Sequence, residues 1–97
     1  MKKAFLVVLM LSSSLIFAQN TISGSVSDES NNPIPGATIV IEGTTTGVVT
    51  DFDGNYQINA SAGDQLTFSS LGFGSQTITV GNQNQINVTL LSSVDIL

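Results

Sequence analysis

The chain has 97 residues with seven Asp or Glu, two Lys or Arg, no His and no Cys, for a formal net charge of −5. So few cations exclude a nucleic-acid partner, whose phosphates are bound by Lys and Arg that displace counterions, and the same shortage excludes electrostatic docking to anionic lipid. Without His or Cys, no Ser-His or Cys-His nucleophile can be assembled and no disulfide can brace the fold.

Lys2 and Lys3 precede an apolar stretch, Ala4 to Phe17, broken only by Ser12, Ser13 and Ser14, and Ala18 supplies a small residue before Gln19. A positive start, a short apolar run and a small residue at the cut form the pattern of a secretory signal peptide. Residues 1–18 are therefore expected to be removed and the chain to be exported. The run falls short of the roughly 20 residues that span a bilayer, so no membrane span is expected after cleavage. Residues 19–97 then form one domain without any Lys or Arg, carrying seven carboxylates at Asp28, Glu29, Glu42, Asp51, Asp53, Asp64 and Asp95. A domain this small buries only about 60% of its unfolded surface, so its sheets must pack closely or lean on a neighbour.

Turn clusters recur about every ten residues, the spacing of a sandwich or barrel. The first strand is expected over 21–27, with Ile22, Gly24 and Val26 on one face by the two-residue period. An acidic, Asn-rich loop follows and closes at Pro33 and Pro35, which lock the backbone and suit a corner or an edge. The second strand is expected over 37–42, with Ala37, Ile39 and Ile41 sharing a face, and a short third one over 48–50 after the Gly43–Gly47 loop. Asp51 to Asn55 forms a turn in which Gly54 can take a positive φ. Tyr56 and Ile58 alternate inward on the next strand, and Leu66 and Phe68 mark another. Gly72 and Gly74 around Phe73 suggest a bend or bulge. Strands at 76–80 and through Ile86, Val88 and Leu90 complete the domain. No stretch has apolar residues at helical spacing over eleven or more positions, so the chain is all-β with seven short strands. The expected core is Ile22, Val26, Ile39, Ile41, Phe52, Tyr56, Ile58, Leu66, Phe68, Ile78, Val80, Ile86, Val88 and Leu90.

Three groups of residues invite a chemical reading. Asp51, Asp53 and Asn55 resemble the opening of a calcium loop, yet an EF-hand also needs a bidentate Glu six residues after its Gly, where this chain has Ala60; capping of a tight turn accounts for the same residues. Gly43 to Gly47 lacks the Lys of a phosphate-cradling loop and precedes a strand, which makes it a hairpin connection. Paired carboxylates can act as acid and base, but Asp51 and Asp53 sit on a small turn without a cleft, so neither catalytic residues nor a cofactor are expected. Among the aromatics, Tyr56 and Phe68 fall on the inward face, leaving Phe73 as the exposed aromatic and the candidate contact residue.

The segments Ile22–Asp28, Pro33-Ile34-Pro35-Gly36-Ala37, Gly43–Gly47, Thr50-Asp51-Phe52-Asp53-Gly54-Asn55-Tyr56 and Leu66–Phe73, taken in order, resemble the carboxypeptidase-D regulatory-like domain found at the N-terminus of SusC/RagA-type TonB-linked outer-membrane transporters. The resemblance implies a small seven-stranded Greek-key β-sandwich of transthyretin (prealbumin) type over residues 19–91. It also implies a non-enzymatic role on the periplasmic side, in uptake of glycans or peptides, beside a transporter plug and barrel or its lipoprotein partner. Ser92 to Leu97 read as the start of a truncated connector, which leads to a plug in such transporters, so the chain is expected to be a fragment or stand-alone copy of the domain without plug or barrel. The alternative from a different class is a free secreted β-sandwich module that binds carbohydrate or protein.

Overall fold

Apolar alternation becomes strands in the computed structural model, which describes residues 20–93. The elements are β1 (Asn20–Ser27), β2 (Thr38–Ile41), β3 (Gly47–Val49), β4 (Asn55–Ala60), β5 (Gln65–Ser69), β6 (Gln76–Thr79) and β7 (Val88–Thr89). They form a three-stranded sheet, β4-β1-β7, and a four-stranded sheet, β3-β2-β5-β6. The chain changes sheet between β1 and β2, β3 and β4, β4 and β5, and β6 and β7. The expected all-β sandwich is therefore the fold observed. The expected signal peptide (1–18) and the last residues of the expected connector (94–97) lie outside the described residues.

Strand β4 shows how the pattern works. Asn55, Gln57 and Asn59 face solvent while Tyr56, Ile58 and Ala60 are buried, as a half-buried strand requires. Strand β5 repeats this, burying Leu66 and Phe68. The two sheets meet through Tyr56 of β4 and Phe68 of β5, whose rings stand edge to face with centroids 5.5 Å apart. Around this pair lie Ile22, Val26, Ile39, Ile41, Val80, Val88 and Leu90, all buried. Ile34, Ala37 and Ala60 join them; the first belongs to the proline corner, Ala37 shares the face of Ile39 and Ile41 as expected, and Ala60 ends the buried alternation of β4.

Two expectations about the core fail. Phe52 is 92% exposed: the chain reverses between Asp51 and Asn55, and residue 52 lies on the outside of that reversal. Ile78 is half-buried and packs against the core from the edge strand β6.

The last strand is also shorter than its alternation suggests, and it runs parallel to β1, pairing Val26 with Val88 and Ser27 with Thr89. Ile86 and Leu90 are still held on either side, since their N–H groups donate to the carbonyls of Ser23 (2.9 Å) and Ser27 (2.8 Å). Between them the Asn87 side chain takes over a backbone role: its Oδ1 accepts the Ser25 N–H at 3.0 Å. A side-chain acceptor in place of a carbonyl interrupts the ladder and keeps β7 to two residues.

Candidate functional site

The residues singled out for chemistry cluster at the β3–β4 turn. Asp51 Oδ1 accepts the N–H groups of Asp53 and Asn55, both at 2.9 Å. The Asp51 N–H donates to the Asn55 carbonyl at 2.9 Å, and the Gly54 N–H donates to the Asp51 carbonyl at 3.0 Å, with Gly54 at φ 77°. The β1–β2 loop contains the same device. Asp28 Oδ1 accepts the N–H groups of Ser30 (2.8 Å) and Asn32 (2.9 Å), while Asp28 N–H reaches Asn32 O and Asn31, at φ 65°, donates to Asp28 O. Asp28-Glu29-Ser30-Asn31-Asn32 and Asp51-Phe52-Asp53-Gly54-Asn55 are thus two copies of one turn, each closed by a carboxylate on backbone amides. Among the described residues, no group of three or more His, Cys, Asp or Glu comes together in a way that could hold a metal ion.

Asp51→Ala removes the one acceptor shared by the Asp53 and Asn55 amides and is expected to lower stability by about 1–2 kcal/mol, read as a drop in thermal midpoint. Asp51→Asn keeps an amide oxygen in place and is expected to retain most of the wild-type midpoint.

A polar cleft of about 330 Å³ opens beside this turn, lined by Ser23, Gly24, Ser25, Asn55, Tyr56, Gln85 and Asn87. Its hydroxyls and amides can donate and accept hydrogen bonds. The one ionisable group there is Tyr56, whose hydroxyl donates to the buried Ile86 carbonyl at 2.6 Å. Burial pushes this phenol from 10.0 up to about 12, so it stays neutral at physiological pH and is committed to the fold.

That shift has a stability consequence of defined sign. The unfolded phenol ionises near 10 and the folded one near 12, so between these values the folded state holds the extra proton. Stability is therefore expected to fall as pH rises through that window, by about 1.4 kcal/mol per unit from this group. Urea midpoints taken across pH 9–13 should show the slope in the wild type and lose this component in Tyr56→Phe. At neutral pH the same substitution leaves Ile86 O without its donor, at a cost of about 1–2 kcal/mol.

Phe73, expected to be the exposed aromatic, is half-buried and packs against the core. The strand segment after β7 covers it: Gly74 N–H donates to Leu91 O (2.8 Å) and Ser93 N–H to Gly72 O (3.0 Å). The exposed aromatic is Phe52, beside Pro35 and Gly36 in a small apolar dip. Leu71, fully exposed, lies at the same end of the sandwich by strand register, and Leu91 lies near it, its carbonyl accepting the Gly74 N–H. The described aromatics therefore form no continuous stacking platform: Tyr56 and Phe68 are interior, Phe73 is covered and Phe52 stands alone. Phe52 was expected in the core and Leu71 carried no expectation, and in both cases a turn breaks the alternation that would place them.

The sequence profile of the CarboxypepD_reg-like domain matches residues 22–97. The chain belongs to that family. This CarboxypepD_reg-like domain is 42% identical to the TonB-dependent receptor SusC of Bacteroides thetaiotaomicron over 99 residues, covering 96% of the chain and 10% of the receptor. It is 49% identical over 69 residues to a TonB-dependent receptor of Formosa agariphila, covering 71% of the chain and 7% of that receptor. The chain thus spans about a tenth or less of the length of these relatives. In three dimensions it is similar to a chain in the crystal structure of a mutant type II cohesin–X-dockerin complex from Acetivibrio cellulolyticus, with TM-score 0.61 and 21% identity over 75% of this chain and 58% of that one. That likeness concerns the fold alone. No catalytic family is indicated by these matches.

Proposed function

We propose that this CarboxypepD_reg-like domain is a non-enzymatic interaction module of the SusC/RagA type of TonB-dependent uptake system, standing N-terminal to a plug and barrel on the periplasmic face of the outer membrane. The observation that carries the reading is the 42% identity with SusC across 96% of the chain. Export through a signal peptide at residues 1–18, a sandwich over 19–91 and a connector from residue 92 fit this placement. The chemistry is compatible with it, because the polar cleft offers hydrogen bonds and no group poised for proton transfer. A free carbohydrate-binding module is the less economical reading, since stacking on sugar rings needs an aromatic platform and among the described aromatics only Phe52 is fully presented.

Reading the coding sequence beyond Leu97 and deleting residues 20–93 in place test the proposal together. A frame that continues into plug and barrel sequences, with a deletion that lowers uptake of the cognate nutrient while the barrel remains in the outer membrane, supports it. A stop followed by an unrelated gene, or a deletion without effect on uptake, overturns it.

A further inference from the structure

Every open sheet has two edges, and a sandwich must keep its edges from pairing with other chains. Three of the four edges here are short: β3 has three residues, β6 four and β7 two. The fourth, β4, runs for six residues, Asn55-Tyr56-Gln57-Ile58-Asn59-Ala60, in continuous register with β1. It contains no Pro, no Gly, no charge and no bulge, so it lacks the usual protections of an edge.

The hydrogen-bond phase of β4 follows from one contact. Val26 N–H donates to Gly54 O at 2.8 Å, and pairing alternates in antiparallel strands. The groups directed at β1 are therefore those of Tyr56, Ile58 and Ala60, opposite Gly24, Ile22 and Asn20. The N–H and C=O of Asn55, Gln57 and Asn59 point away from β1. Those of Asn55 are taken up by Asp51. Gln57 and Asn59 have no backbone partner among the described residues. The neighbouring edge β3 has the same phase: Ile41 N–H reaches Thr46 O and Thr50 N–H reaches Ala37 O, which turns Gly47 and Val49 outward. Between the two edges lies a cleft of about 330 Å³ lined by Thr46, Val48, Gln57, Ile58 and Asn59. A strand laid along β4 would place every second side chain over this cleft, where Val48 and Ile58 offer apolar contact.

Charge selects the occupant. Residues 20–93 contain six carboxylates and no Lys, Arg or His. Asp51 and Asp53 precede β4 and Asp64 follows it, so the neutral edge is bracketed by acids. A second copy would bring the same uncompensated charge to the same place. A cationic segment would be attracted to it.

We propose that the free edge of β4 is a docking site for an extended, cationic protein segment that adds as a strand to the β4-β1-β7 sheet, with alternate apolar side chains in the cleft beside Val48 and Ile58 and basic residues at its two ends. This inference stands on the edge geometry and the charge distribution and does not depend on the transporter reading.

The test uses the full chain labelled with nitrogen-15 and two blocked peptides, Lys-Thr-Val-Thr-Val-Thr-Lys and its Glu-flanked counterpart. The Lys-flanked peptide should shift and protect the Gln57 and Asn59 amides, and it should bind at least about tenfold more tightly at low salt than the Glu-flanked one. Gln57→Pro removes a donor that the native ladder does not use, since Pro is tolerated where the N–H faces away from the sheet. It should abolish the shifts while leaving the Tyr56 and Phe68 signals in place. If that variant does not fold, Gln57→Lys, which leaves the backbone intact, should weaken the Lys-flanked peptide by charge. Unshifted Gln57 and Asn59 amides, or equal binding of the two peptides, overturn the proposal. So does protection of these amides without peptide, whether it grows with protein concentration, as pairing with a second copy would, or is independent of it, as occupation by the chain's own terminal residues would be.

Discussion

Gly24→Ala is expected to destabilise the domain by about 3–5 kcal/mol, a large fraction of the stability of a small domain. Gly24 sits in the middle of β1 with ordinary backbone angles, so the effect comes from space and not from conformational freedom. A Cβ at this position would lie 1.8 Å from the Ile86 carbonyl oxygen and 2.6 Å from its carbon, with the Tyr56 ring 3.1 Å away. The obstructing atoms are backbone and cannot swing aside. Relief requires the Ile86 segment to move off β1, which strains the Ile86 N–H bond to Ser23 O (2.9 Å) and the Tyr56 hydroxyl bond to Ile86 O (2.6 Å). Overpacking of a core costs about 1–3 kcal/mol, and each weakened bond adds about 1 kcal/mol. Equilibrium urea unfolding would measure the total. Gly74→Ala is the control: its Cβ would meet only the Leu91 carbonyl oxygen, at 3.8 Å, and is expected to change stability by less than about 1 kcal/mol. Similar losses for the two variants would show that the close approach at Gly24 is not what matters.

The contrast between these glycines marks where the sequence was legible. In β4 and β5 the code is local, because a strand with one face on a core alternates, and Tyr56, Ile58, Leu66 and Phe68 were placed correctly from that rule. The turn at Asp51 to Asn55 was equally readable, since Asp, Gly and Asn each have a local reason to be there. What the sequence could not supply were contacts between segments far apart in the chain. Gly24 reads as a poor strand residue until the Ile86 backbone is seen lying on it. The parallel pairing of β1 with β7 has no local signature. Phe52 is apolar but lies within the turn at Asp51 to Asn55, and where the chain reverses, apolar character alone does not direct a side chain inward. Phe73 was misplaced for the converse reason: its flanking glycines suggested exposure, and the chain beyond β7 returns to cover it.

The candidate site divides in the same way. The Asp51 turn was visible, and the structure shows the same device a second time at Asp28. The β4 edge was not visible, because an unpaired edge is a property of sheet order. It becomes evident only when β4 is found at the border of its sheet with Gln57 and Asn59 directed outward.

Thr50→Val is the second large effect, about 2–4 kcal/mol for a change that leaves the side chain's shape almost unaltered. Thr50 is the one buried polar residue among those described, at 5% exposure, and it ties two loops together by four hydrogen bonds. Its hydroxyl donates to Ile34 O at 2.6 Å and accepts the Ala37 N–H at 2.9 Å. Its backbone N–H donates to Ala37 O at 2.9 Å, and its carbonyl accepts the Gly36 N–H at 3.1 Å. Valine preserves the last two bonds and the packing but leaves a buried carbonyl and a buried amide without partners, each costing about 1–3 kcal/mol. Thr50→Ser restores both hydroxyl bonds and loses one methyl group, a penalty of about 1 kcal/mol. Denaturant midpoints should therefore rank wild type above Thr50→Ser and both well above Thr50→Val. The reverse order for the two variants would mean that the methyl, not the hydroxyl, holds the proline corner to β3. Because Thr50 immediately precedes the Asp51 turn, its loss should also loosen the start of β4, and faster amide exchange at Asn55 in Thr50→Val would report that coupling between the corner and the proposed docking edge.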